Sequence, residues 1–251
     1  MKYIHETVSE QNARPYQEDT HVNAKLQSGL FIAAVFDGHG GGDVSQYCKT
    51  NMVPVLTRHL AQSTNVVEAI KATYSTLDEA ILREIPESIH MGATCSMIVV
   101  TGTRIFASNC GDSMAMAMCK SGNVCMLSEE HKVSNAREQY RIRATNGLIT
   151  RMPGDCERIG GVNISRSFGD HAVKMWVIST PYISSIALSD VSYVVNASDG
   201  LWDVVSGDDV AGLLGGVTPR NCSRKIKELA LYAKKKGSTD NITISITMFV
   251  E

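Results

Sequence analysis

The stretch Leu30-Phe31-Ile32-Ala33-Ala34-Val35-Phe36-Asp37-Gly38-His39-Gly40-Gly41-Gly42 decides how the rest of the chain is read. Its apolar half is a short β-strand, far too short to cross a bilayer. The strand ends on a carboxylate and breaks into a glycine-rich turn. A second such ending follows Tyr193-Val194-Val195-Asn196-Ala197-Ser198, where Asp199 precedes Gly200. Two further acidic sites stand at strand entrances: Glu18-Asp19 before Thr20, and Asp240 before the strand that begins at Ile242. In an antiparallel sheet the exit of one strand lies beside the entrance of its neighbour. The spacing therefore predicts that Glu18, Asp19, Asp37, Asp199 and Asp240 share one rim.

Such a cluster needs counter-charge. Two unit charges ~4 Å apart repel by about 4 kcal/mol at an effective dielectric of 20, and Arg14 is the one basic side chain on the approach to the first of these strands. Oxygen-only ligands are hard, which favours Mg²⁺ or Mn²⁺ over zinc, with Asp37 placed to bridge two ions. A paired-ion site lowers the pKa of bound water and suits phosphate-ester hydrolysis. Arg14 offers a planar fork for phosphate oxygens, and His39 is placed to protonate a leaving alkoxide.

Composition sets the frame. The chain has 251 residues, 43% hydrophobic and 20% charged, with a net charge of −2. These values describe a globular protein and give no bulk electrostatic case for nucleic acid or an anionic membrane as partner. The seven cysteines are scattered, with no Cys-x-x-Cys, so neither a zinc knuckle nor a disulfide framework is expected. The N-terminal residues hold no apolar signal core, and the cytosol is the expected compartment, with the nucleus as the other option.

No repeat, low-complexity tract or linker interrupts the sequence, which reads as one domain over 1–251. β-type runs are expected at 20–26, 30–36, 95–100, 104–108, 114–118 and 191–197. The last run, 242–250, alternates as a half-buried strand. Helical stripes run from Val44 to Leu56, with Pro54 expected to bend or shift the helix, and from Val66 to Ile81. A third helix is expected to start at Thr218-Pro219, and a short fourth at the capping box Ser206-Gly207-Asp208-Asp209. Antiparallel strands under amphipathic helices make this an α+β protein.

The motifs, in order, resemble the metal-dependent serine/threonine protein phosphatases of type 2C. They are Arg14-Pro15-Tyr16-Gln17-Glu18-Asp19, Phe36-Asp37-Gly38-His39-Gly40-Gly41, Gly92-Ala93-Thr94-Cys95, Asn109-Cys110-Gly111-Asp112-Ser113 and Glu130-His131-Lys132. Gly160-Gly161, Ser165-Arg166-Ser167-Phe168-Gly169-Asp170, Ala197-Ser198-Asp199-Gly200-Leu201-Trp202-Asp203 and Asp240-Asn241-Ile242-Thr243 complete the series. The resemblance implies a four-layer αββα sandwich with two central, mainly antiparallel β-sheets. It implies hydrolysis of phosphoserine and phosphothreonine in proteins by a hydroxide bridging two Mg²⁺ or Mn²⁺ ions.

Asp37, Asp199 and Asp240 would then bind the ions directly with the Gly38 carbonyl, and Glu18 and Asp19 through waters. Arg14 would bind the substrate phosphate, His39 would act as general acid, and Asp203 would help hold a weaker third ion. Glu130 stands where the family usually carries Asp, which puts that third site in question. Residues 133–166 correspond to the flap beside the site. Phosphoproteins are the expected partners, with a monomer as the default state.

Competing readings make distinct demands. Asp112 reads as a turn residue and Arg166 as a flap support or carboxylate partner. A serine esterase could be built from His39-Gly40-Gly41-Gly42 and Gly111-Asp112-Ser113, but the triad order needs a late histidine, and the last one is His171. A phosphatase-like binding scaffold is the alternative function; it is disfavoured because every core carboxylate is present.

Overall fold

The computed structural model describes residues 2–250. Two five-stranded antiparallel sheets stand at its centre. One runs Lys2–Glu10, Ile242–Val250, Val191–Ala197, Met114–Cys119, Val124–Met126 across its width. The other runs Tyr182–Ala187, Arg104–Cys110, Cys95–Val100, Phe31–Phe36, Thr20–Lys25.

Helices α1 (Asp43–Gln62) and α2 (Val66–Glu84) cover the second sheet. A short helix α3 (Ala136–Ala144) belongs to the flap. The single turn α4 (Asp199–Trp202) and helices α5 (Gly207–Leu213) and α6 (Cys222–Lys235) cover the first sheet. The order helix, sheet, sheet, helix is the expected αββα sandwich.

Period-two alternation explains the layering. Within Phe31–Phe36, Ile32, Ala34 and Phe36 pack against α1 and α2, while Phe31 and Ala33 point at the other sheet. Both faces are covered, so every residue of that strand is buried. Small side chains (Ala33, Ala107, Ala115, Ala117) let the two sheets approach. Each large buried side chain on the helical layers, such as Ile70 or Leu77, contributes roughly 1.5–3 kcal/mol by leaving water.

The strand Ile242–Val250 corrects the sequence expectation. It is buried rather than half-buried, because Thr243, Ser245 and Thr247 face the interior of the sandwich. Their hydroxyls find partners there: Thr243 with Ser9 Oγ at 2.9 Å, and Thr247 with His5 Nδ1 at 2.9 Å. The partner strand Lys2–Glu10, unassigned in the sequence, pairs along its whole length with Ile242–Val250.

Two helix expectations also change. α1 runs uninterrupted through Pro54, which lies on its exposed face, where water can satisfy the carbonyl that loses its donor. α6 starts at Cys222 rather than at Thr218, because the Asn221 side chain accepts the Thr218 amide at 2.7 Å and holds 218–221 as a turn. The Ser206 capping box forms as expected, with the Asp209 amide donating to Ser206 Oγ at 3.1 Å. Among the described residues no helix is long and apolar enough to cross a membrane, and the seven cysteines are free thiols.

Residues 133–166 carry α3 and a hairpin of Ile149–Arg151 with Glu157–Ile159. They pack on a small core of their own, Val133, Ile142 and Ile159, closed by Val177. The root is held by ions. Glu138, almost fully buried, takes Arg166 at 2.6 Å and Arg141 at 2.8 Å. Burial alone would push Glu138 up, but the hydrogen bonds from Arg166 and Arg141 outweigh it and hold the carboxyl down at about 2.

Candidate active site

The strand ends do converge. Arg14, Glu18, Asp37, Gly38, His39, Asp112, Asp199, Asp203 and Asp240 line one cavity of about 420 Å³, open at the edge of the two sheets. The carboxylates arrive from the exit of Phe31–Phe36, the exit of Val191–Ala197 and the entrance of Ile242–Val250, as the antiparallel rule requires. Local geometry is tight. A Cβ on Gly200 would lie 1.9 Å from the Asn241 carbonyl oxygen, so only glycine lets the Asp199 and Asp240 segments meet.

Asp19 sits just beneath the cavity rather than in its wall, 4% exposed. Its Oδ2 accepts the Ser198 hydroxyl at 2.8 Å, while its buried Oδ1 has no hydrogen-bond partner. Burial, with the charges of Asp199 and Asp240, pushes Asp19 up to about 7 against the hydrogen bonds from Ser198 and Thr243. Asp199 is pushed up to about 6 by burial and then by Asp203 and Asp240. Asp37 lies well above the carboxylate range through burial and the neighbouring Asp199, Asp19 and Asp112.

Asp240, at the cavity mouth, accepts Arg14 Nη2 on Oδ2 at 2.5 Å and the Asn241 amide on Oδ1 at 2.7 Å. Arg14 is half exposed, so its fork hangs over the opening. His39 lines the same cavity, its Nε2 2.8 Å from Asp170 Oδ2. Glu130 stays outside the lining and meets Lys132 at 3.1 Å.

Three residues here escaped the sequence reading. Asp112 is more than a turn residue: it is buried in the cavity wall and pushed up by burial and by Asp199. Lys132 reaches Asp203 at 2.5 Å and Asp112 at 3.9 Å, so Arg14 is not the sole cation. Arg158 reaches the cavity from the flap hairpin. Both basic residues sit far along the chain from the acidic strand ends; Lys132 lies in the Glu130-His131-Lys132 motif without a role assigned to it, and no local pattern marks Arg158. Arg166 pairs with the Glu138 carboxylate at the root of the flap, as expected of a flap support and carboxylate partner. Ser113 is fully buried and hydrogen-bonds Thr94 Oγ1 at 2.6 Å, which removes it as an esterase nucleophile.

Among the described residues, no three Asp, Glu, His or Cys side chains close on a single point as a ready-made cage. The cavity is instead ringed by oxygens, several desolvated and mutually repelling, and just beneath it the buried Asp19 Oδ1 has no hydrogen-bond partner. Hard cations that keep much of their own hydration fit this arrangement.

The family model described as protein phosphatase 2C matches residues 5–242. The chain belongs to the protein phosphatase 2C family. That family comprises metal-dependent serine/threonine protein phosphatases, and protein dephosphorylation is its activity. A probable protein phosphatase 2C of Arabidopsis thaliana is 35% identical over 224 residues, which are 88% of this chain and 70% of the relative. One from Oryza sativa subsp. japonica is 34% identical over 88% of this chain and 77% of its own length.

Among solved structures, a serine-threonine phosphatase 2C from Toxoplasma gondii superposes with a TM-score of 0.86 at 20% identity, covering 99% of this chain and 95% of that one. A C. elegans sex-determining protein gives 0.90 at 22% identity; the match covers 99% of this chain but 65% of the nematode one. At these identities the two structures show the protein phosphatase 2C fold alone.

Proposed function

We propose that the chain is a single catalytic domain that hydrolyses phosphoserine and phosphothreonine in proteins, with water attacking phosphorus. One observation carries the reading: a phosphate-type arginine, a histidine and a set of desolvated carboxylates meet around one open cavity. Asp37, Asp199 and Asp240, with the Gly38 carbonyl, would hold two Mg²⁺ or Mn²⁺ ions, and Glu18 and Asp19 would act through water. Bound there, such ions supply Lewis acidity, activating water and offsetting phosphate charge.

The chain's own groups do the rest. Arg14 leaves Asp240 for two oxygens of the incoming phosphate, a fork geometry that lysine lacks. His39 gives a proton to the departing serine or threonine oxygen as the P–O bond breaks. Asp19, which is beneath the cavity, orients the acidic wall through Ser198. Asp203 would help hold a weaker third ion, with Lys132 bridging it to Glu130.

The test is Mn²⁺-dependent phosphate release from a phosphothreonine peptide, comparing wild type with Asp37→Ala and Asp199→Asn. The reading expects loss of at least about 100-fold in each variant, the scale of removing one electrostatic stabiliser. Turnover that persists in chelator would overturn it.

A further inference from the structure

A three-stranded miniature sheet lies at the edge of the cavity, formed by Gly38–His39, Gly92–Ala93 and Phe168–Gly169. Its register sets His39 opposite Gly92 and Gly92 opposite Gly169, so His39 and the residue after Gly169 flank the same glycine. That next residue is Asp170. Its carboxylate, 3% exposed, accepts His39 Nε2 at 2.8 Å and the Ser167 hydroxyl at 2.5 Å on one oxygen.

Three features show that the contact is built in. Asp170 holds a left-handed backbone, φ 50°, a conformation uncommon for non-glycine residues that aspartate tolerates better than most. It stands at the start of the 3-10 turn His171–Val173, yet its side chain makes no capping hydrogen bond there. And a Cβ on Gly92 would fall 2.4 Å from Asp170 Oδ2 and 2.6 Å from His39 Nε2, so Gly92 is the gap through which the pair touches. The backbone around Asp170 is pinned as well: its amide donates to the Met91 carbonyl at 3.0 Å, and the Gly169 amide donates to Asp78 Oδ1 at 3.0 Å.

We propose that Asp170 is a positioning residue: it holds the Nε2–H of His39, fixes the ring and its tautomer, and so reserves Nδ1 for the proton delivered to the leaving oxygen. Among the described residues Nδ1 makes no hydrogen bond of its own. The proposal rests on the reading of His39 as proton donor. His39 donates from its doubly protonated ring, with Nε2–H kept on Asp170: water's oxygen bonds to phosphorus, the P–O ester bond breaks, its electron pair takes the proton from Nδ1, and the proton shed by the attacking water passes to solvent, from which Nδ1 is reprotonated.

A poor alkoxide leaving group needs that proton, whereas nitrophenolate does not. The experiment compares a phosphothreonine peptide with p-nitrophenyl phosphate at saturating Mn²⁺. For Asp170→Asn, kcat on the peptide should fall at least tenfold, kcat on p-nitrophenyl phosphate should stay within about twofold, and KM should hold for both. Gly92→Ala, which wedges the pair apart and also crowds the Phe168 carbonyl oxygen, should show the same split, and Asp170→Ser serves if Asp170→Asn does not fold. In metal-free protein, ¹⁵N shifts of the His39 ring should report Nε2–H in wild type and a mixed tautomer in either variant.

His39→Gln separates the two layers of the reading. If His39→Gln splits the substrates and neither Asp170→Asn nor Gly92→Ala does, the positioning role is overturned while the proton donor stands. If His39→Gln lowers both substrates equally, the donor assignment falls and the proposal with it. Equal loss on both substrates in Asp170→Asn would also overturn the proposal, since a merely structural residue behaves that way.

Discussion

The ammonium of Lys132 stands 2.5 Å from Oδ1 of Asp203, 3.1 Å from Glu130 and 3.9 Å from Asp112. A side-chain cation therefore stands beside Asp203, the carboxylate for which the family resemblance implies a weaker third ion. Burial works against its charge, but the surrounding carboxylates hold the lysine protonated well above its usual range.

Lys132→Met should accordingly behave as a metal-site variant. Without Mn²⁺ the buried Asp112 loses its cation, at a cost of about 1–3 kcal/mol, or several degrees in Tm for a domain of this size. Saturating Mn²⁺ should recover most of that loss, giving a larger Mn²⁺-induced shift than in wild type. Equal shifts in a thermal melt would show that Lys132 does not stand in for an ion.

Protons and ions compete for the same oxygens. Asp19 at about 7 and Asp199 at about 6 lie above their unfolded values, so the metal-free native state binds more protons than the unfolded chain between roughly pH 4 and 7. Their stabilising contribution is complete below pH 4 and fades as pH rises through that window. His5, held by burial at about 4, and His131, at about 3, run the other way over part of it. The difference made by Mn²⁺ removes the histidines from view: the ion-induced rise in Tm should grow from pH 5 to 7. Calorimetry in two buffers should find protons released on Mn²⁺ binding at pH 6 and fewer at pH 8.

Arg14 pairs with Asp240 where both are partly exposed, so the pair itself adds little stability. Arg14→Ala should leave Tm nearly unchanged but lower kcat/KM on a phosphopeptide by about 10- to 100-fold, the scale of one or two charge-assisted hydrogen bonds. Arg14→Lys should recover only part of this, because it keeps the charge and loses the fork. A normal kcat/KM for Arg14→Ala would remove Arg14 from the phosphate.

Glu138→Gln should loosen the flap alone. It leaves Arg141 and Arg166 without their shared carboxylate, and breaking a buried ion network in this way costs about 3–5 kcal/mol. Hydrogen exchange should speed up over 133–166 while Cys95–Val100 and Phe31–Phe36 keep their protection. Because Glu138 is held down at about 2, its contribution is present above pH 4.5 and is lost as pH falls towards 2. Wild-type flap protection should fade over that acid range.

The acidic strand ends were legible because chemistry and periodicity coincide there: each apolar run stops on Asp, or starts after one, and antiparallel order does the rest. The edges of the sheets were less legible. Lys2–Glu10 carries Lys2, His5, Glu6 and Glu10 among its apolar residues, and its identity as a strand comes from the full-length partner Ile242–Val250. Ile242–Val250 reads as half-buried because Thr243, Ser245 and Thr247 look solvent-facing until the second sheet covers that face, where the neighbouring strand Lys2–Glu10 supplies hydroxyl partners for Thr243 and Thr247. Lys132 and Asp112 needed tertiary structure for the same reason: their partners lie on other strands and loops.

The flap closes over Val133, Ile142, Ile159 and Val177 and shares no member of that core with the sandwich. Amino-acid drift in this segment is thus absorbed locally, and residues such as Arg158 at the cavity wall are free to diversify while the sheets that carry the acidic strand ends stay as they are. In relatives of this protein, exchange of residues 133–166 as a cassette should transplant peptide preference and leave the refolding of the two sheets untouched.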